Sequence, residues 1–222
     1  PPAYRLARLA HLHLNTLGFI GLSAIGTLHV LMPTALARPD PLVAQRLQQQ
    51  LLWMLAGVGA AALAGGLPWL GLPAAMLLGG VVAATLVGWV RTHGLGRLLG
   101  DGVATSLLVA TTGLLGLILA GLAHGFGAMP GRPAVAGFFA LFLLPLVTGA
   151  LSQLLPVWRR PGPALPARRL MRQKLAASGG WRALLLLAAT LALLGGFNAV
   201  AGFLVAGAML LFVAGVLQAV RV

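Results

Sequence analysis

Residues 11–33 read HLHLNTLGFIGLSAIGTLHVLMP and hold three of the five histidines, in a run apolar enough to cross a bilayer. Imidazole is the commonest protein metal ligand and the side chain that changes charge nearest neutral pH. Inside a membrane span it is costly unless it is paired, hydrogen-bonded or ligated. The chain has no cysteine, which excludes disulfides, thiolate metal sites and iron–sulfur ligation. Its only carboxylates, Asp40 and Asp101, fall in loops. The chemistry open to the chain therefore centres on its histidines.

At about 100° per residue, His11, Asn15, Gly18, Leu22, Gly26, His29 and Pro33 fall on one stripe of a helix. The stripe is small or polar except for Leu22, so it faces other helices or a flat cofactor rather than lipid. His11 and His29 share that face but lie roughly 27 Å apart by helical rise, too far to ligate one metal. His13 points about 200° away from His11, so the H-x-H pair addresses two different neighbours. Asn15 and Thr16 are within helical reach as partners for the second ring nitrogen of either. The plainer reading of His29, His93 and His124 is headgroup anchoring or an interhelical hydrogen bond. His124, by depth alone, and His29 are further, weak ligand candidates.

These residues must be positioned by membrane helices. The 222 residues are 59% hydrophobic and 8% charged, with a mean hydropathy of +0.98. A soluble domain carries roughly 25% charged residues, so the chain reads as an integral membrane protein in contact with the lipid bilayer. Spans of about 20 apolar residues fit seven segments: 10–34, 51–70, 72–90, 102–124, 134–157, 176–195 and 199–220. The fold class is all-α, a polytopic membrane helical bundle forming one transmembrane domain over 1–222. Segment 158–175, rich in Pro and Arg, reads as an aqueous loop.

The net charge of +13 does not point to nucleic acid, because most basic residues sit in short loops beside apolar runs. The positive-inside rule puts 158–175 and the C-terminus in the cytoplasm, with Arg38, Arg46, Arg91, Arg97 and Arg221. Residue 1 then lies outside, with Arg5, Arg8 and Arg132. A bacterial inner membrane is the expected location. An outside end without a signal sequence implies at least one earlier span. On this orientation His11, His13 and His124 lie near the outer face, His29 lies deeper, and His93 is in a cytoplasmic loop. Arg182 is expected to snorkel from the sixth span. Asp101 is expected to cap the fourth, and Pro145 to kink the fifth.

An internal match runs at an offset of 123 residues. Gly26, Leu28, Leu31 and Pro33 pair with Gly149, Leu151, Leu154 and Pro156, both reading G-x-L-x-x-L-x-P. The same offset pairs Leu42 with Leu165, Arg46 with Arg169 and Gln50 with Gln173. The first and fifth spans run in the same direction, so the repeat is a parallel unit of four helices, 10–124, followed by a partial unit, 134–220.

Here the sequence resembles subunit I of the haem-copper oxidases, which is built of parallel four-helix units. One of its spans begins at the outer face with H-x-H and continues to a small-residue patch and a proline, as His11, His13, Gly26 and Pro33 do here. The NnrS-like haem membrane proteins, tied to nitric oxide stress, look like a reduced relative of the same plan. The detailed resemblance covers the first span and the repeat. It implies a non-covalent haem, b-type or related, with His11 and His13 as axial ligands to iron, Asn15 beside them, and a redox or nitric oxide- or oxygen-related role with a respiratory or electron-donor partner. The departures bear on copper. Residues 134–157 and the following helices hold no histidine, the only tyrosine is Tyr4, and no span carries a carboxylate. These gaps argue against a proton-pumping oxygen reductase with a complete copper centre. A permease without haem, favoured by the small-residue helices, and an assembly subunit whose histidines merely pack are the competing readings.

Overall fold

The computed structural model describes residues 2–128, 132–162 and 165–221. Every regular element among them is helical. The first helix is continuous but changes type: α1 (Pro2–His13) runs into a π-helical stretch, Leu14–Leu22, and then α2 (Ser23–Ala35). There follow α3 (Val43–Leu63), α4 (Gly71–His93), the short α5 (Leu95–Gly100) and α6 (Gly102–Gly125). The fifth span is again composite, with α7 (Arg132–Gly137), a π-helical stretch Phe138–Leu143, and α8 (Leu144–Arg159). The chain ends with α9 (Leu165–Ala177), α10 (Gly179–Leu194) and α11 (Asn198–Val220).

Six helices among the described residues are long and apolar enough to cross a membrane, so the chain is a polytopic membrane helical bundle. Seven spans were expected, and the difference lies in α3. It begins at Val43, not near residue 51, and Gln45, Arg46 and Gln48–Gln50 lower the hydropathy of its first two turns. A second difference concerns 158–175. Leu165–Ala177 is a helix, not a loop, with Met171 and Leu175 buried while Arg169 and Leu170 face outward. Only Ser178 separates it from α10, so the two run on as one helical segment, Leu165–Leu194. Basic residues and prolines masked that apolar face in the sequence. Pro1, expected outside, and residues 163–164 of the same segment lie beyond the described residues, as do the side chain of Arg132 and Val222.

Pro145 accounts for the second π-helical stretch. It has no N–H to offer the carbonyl of Leu141, four residues earlier. That carbonyl instead lies against α6 at Gly113, where an added Cβ would collide with it. A shift of 123 residues carries Leu14–Leu22 onto 137–145, which contains Phe138–Leu143. Pro33 and Pro156, a pair at the same offset, both lie buried inside helices.

The main core cluster is shared by α2, α3, α4, α5, α6 and the second π-helical stretch, including Ile25, Leu28, Met32, Leu107 and Phe142; a smaller one joins α9 and α11 through Met171, Leu175 and Ala219. The surface of α11 is apolar and outward-facing, with Phe203 and Leu210 exposed, as a lipid-facing helix requires. After α2 the chain turns at Ala37, whose φ of 51° is left-handed, while Arg38 N–H donates to Pro33 O at 2.9 Å.

Candidate functional site

The two residues of H-x-H part company as helical geometry requires. His11 is exposed, and Asn15 lies one turn along on the same face. Asn15 Nδ2 donates to the backbone oxygen of His11 at 2.8 Å, a contact only a donor satisfies. The same Nδ2 lies 3.1 Å from His11 Nε2. Nε2 is therefore the acceptor, and the ring proton of neutral His11 resides on Nδ1. The Thr16 hydroxyl donates to Leu12 O at 2.8 Å.

His13 turns toward α3, with the backbone of Ala61 beside it. Its Nδ1 is buried and has no partner. Directly after this pair the helix widens to π geometry, with Gly18 and Gly21 buried and Gly18 closed against Val58 of α3. Such bulges concentrate at functional sites.

The remaining histidines are scattered. His29 is 3% exposed, and its Nε2 lies 2.8 Å from Gln50 Oε1 on α3. Thr85 of α4 reaches the same oxygen at 3.5 Å while donating at 2.9 Å to Val81 O. His29 is thus engaged in an interhelical polar contact, the plainer of its two readings. His124 is exposed in the last turn of α6. His93 was expected in a loop but closes α4, 4% exposed, with neither ring nitrogen hydrogen-bonded. Among the described residues no three His, Cys, Asp or Glu side chains are grouped to hold a metal ion. A metal at His11 or His13 would therefore have to bring most of its own ligands, as a haem iron does.

At the basic end of the bundle Arg172 is a hub. It donates through Nε to Gln153 Oε1 at 2.7 Å, and through Nη2 to Ala35 O at 2.6 Å and Asp101 Oδ2 at 2.8 Å. Asp101 also caps α6, as expected, by accepting from Val103 N and Ala104 N at 3.0 Å each. Beside this hub opens a cleft of about 550 Å³ lined by Asp101, Arg172, Gln173, Gly180, Trp181 and Leu184, among others. The second carboxylate, Asp40, pairs with Arg46 at 2.6 Å. Sequence reasoning missed the hub, because nothing in 158–175 marked Arg172 apart from its neighbours. It also missed Arg182, expected to snorkel but in fact fully buried. Polar residues of α6 bond back to their own helix: Ser106 to Gly102 O and Thr111 to Leu107 O.

Comparison with known proteins adds no relative: no family model, curated protein or solved structure matches this chain.

Proposed function

We propose that this integral membrane protein binds haem through its H-x-H pair, with His11 as the principal axial ligand. The observation that carries the reading is the placement of the two imidazoles: Nε2 of exposed His11 lies 3.1 Å from the Asn15 amide, and Nδ1 of His13 is buried with no partner among the described residues. A neutral imidazole with its proton fixed on the other nitrogen is what iron requires. His11 is the exposed member and can meet a group outside the helix, whereas His13 ties α1 to α3. Asn15 orients His11 and occupies the coordinating nitrogen until a ligand displaces it. The π-helical turns that follow widen the helix beside this site. Haem iron would supply redox or gas-binding chemistry there, related to nitric oxide or oxygen, with an electron-donor partner. The inner membrane of a bacterium, with the histidine pair outside and α9 cytoplasmic, fits the charge distribution.

The test is a reduced-minus-oxidised visible spectrum with a pyridine haemochromogen assay on detergent-purified protein. Haem content should fall at least tenfold in His11→Ala and should hold or rise in Asn15→Ala, which frees Nε2. A colourless protein after expression with ample haem overturns the reading. A second reading, a permease without haem, draws on the cleft beside Arg172 and Asp101, an aqueous-sized opening lined by both charge signs. Substrate-dependent uptake by the colourless protein would favour it.

A further inference from the structure

Arg182 lies in the first turn of α10 and is fully buried. Its Nη2 donates to Ser152 Oγ of α8 at 3.2 Å and to Leu175 O, near the end of α9, at 3.3 Å. Its guanidinium carbon is 5.0 Å from the centre of the Phe212 ring on α11. Nε and Nη1 are buried and meet no acceptor among the described residues. The same holds for Ser178 Oγ, one turn earlier on the same helical segment. A Cβ added at Gly215 of α11 would lie 3.8 Å from that hydroxyl. Ser178 and Arg182 therefore turn to the same face of α11, three residues apart at Phe212 and Gly215.

The charge balance sharpens the point. A guanidinium stays protonated in proteins. Asp40 and Asp101 are the chain's only carboxylates, and Arg46 and Arg172 hold them. The contacts that reach Arg182 are a hydroxyl, a carbonyl and a ring face, all neutral. The start of α10 adds the positive end of one helix dipole and the end of α9 the negative end of another, so the two offset and neither is a counter-ion. A buried cation left uncompensated is strongly unfavourable, and two of its donors and a hydroxyl stand ready for the same kind of ligand.

We propose that Arg182 and Ser178 bind a small inorganic monoanion of about chloride size between α10 and α11, with Ser152 steadying the guanidinium. The orphaned groups include a cation and N–H donors but no carboxylate, which selects an anion over a cation. Their enclosure selects a small ion over a phosphate ester or a lipid headgroup. The competing role is purely structural, with Arg182 only capping the last carbonyls of α9; that role leaves Nε, Nη1 and Ser178 Oγ unsatisfied.

The experiment is thermal unfolding of the full chain in detergent, titrating chloride against gluconate at constant ionic strength. The melting temperature should rise saturably with chloride. Ser178→Ala, a small change expected to fold, should raise the half-saturating chloride concentration roughly tenfold. Arg182→Gln should remove the chloride dependence. In bromide-grown crystals an anomalous peak should lie beside the Arg182 side chain. Equal melting in chloride and gluconate, a chloride effect unmoved by Ser178→Ala, or a bromide peak only elsewhere overturns the proposal and leaves Arg182 as a helix cap. None of these readings involves haem, so this test and the haem spectrum fail independently.

Discussion

His29 and Gln50 form one of the few side-chain contacts between helices in the first half of the bundle. Buried polar groups are costly when their partner is removed and nearly neutral when both are replaced by apolar groups. Gln50→Leu should therefore lower stability by about 1–3 kcal/mol, read as a drop in thermal midpoint in detergent. The double change His29→Leu/Gln50→Leu should recover much of that loss; a double variant as unstable as the sum of the singles would refute the pairing. At this scale the sequence was informative about separation and direction. Helical periodicity alone put His11 and His13 on different sides, and they are so placed. It was uninformative about partners, since Gln50 lies on another helix, 21 residues away. Burial of Arg182 was illegible for a related reason. Proximity to a helix end suggests snorkelling, but the side chain is held inside by Ser152 of α8 and the Phe212 ring of α11.

Elements were legible where hydropathy alone decides and obscured where polar residues begin a helix. The spans at 72–90, 102–124 and 199–220 lie within α4, α6 and α11. The first two turns of α3 and all of α9 were missed because Gln and Arg there mimic a loop, while their apolar faces are only a few residues wide. Helix type was also hidden. Pro145 signalled a distortion in the fifth span, and the distortion is a π-helical stretch just before it. Its packing depends on Gly113, which admits the Leu141 carbonyl. Gly113→Ala should cost about 1–3 kcal/mol by overpacking, whereas Gly116→Ala, on the open side of the same helix, should cost nothing measurable. Comparison of their melting temperatures with the parent checks this, and equal losses would show that the close approach is unimportant.

At the scale of the whole molecule the charge asymmetry predicts an orientation, and labelling can test it because the chain contains no cysteine. Ala128→Cys, in the exposed turn after α6, should react with an impermeant maleimide added to intact cells. Arg160→Cys, exposed after α8, should react only once the membrane is opened. The reverse pattern would invert the topology and place the H-x-H end inside. Composition revealed the bundle and its lipid-facing surface, but not how its parts are tied, since that depends on contacts remote in sequence. The hub at Arg172 shows what such a contact entails during synthesis. The carbonyl of Ala35 waits for a donor that lies 137 residues later, and Asp101 waits 71 residues for the same arginine. A chain halted before α9 would hold both acceptors without their cation, at the end of an otherwise inserted bundle. The last third of the described chain thus supplies the one side chain that joins Ala35, Asp101 and Gln153, acceptors laid down well before it.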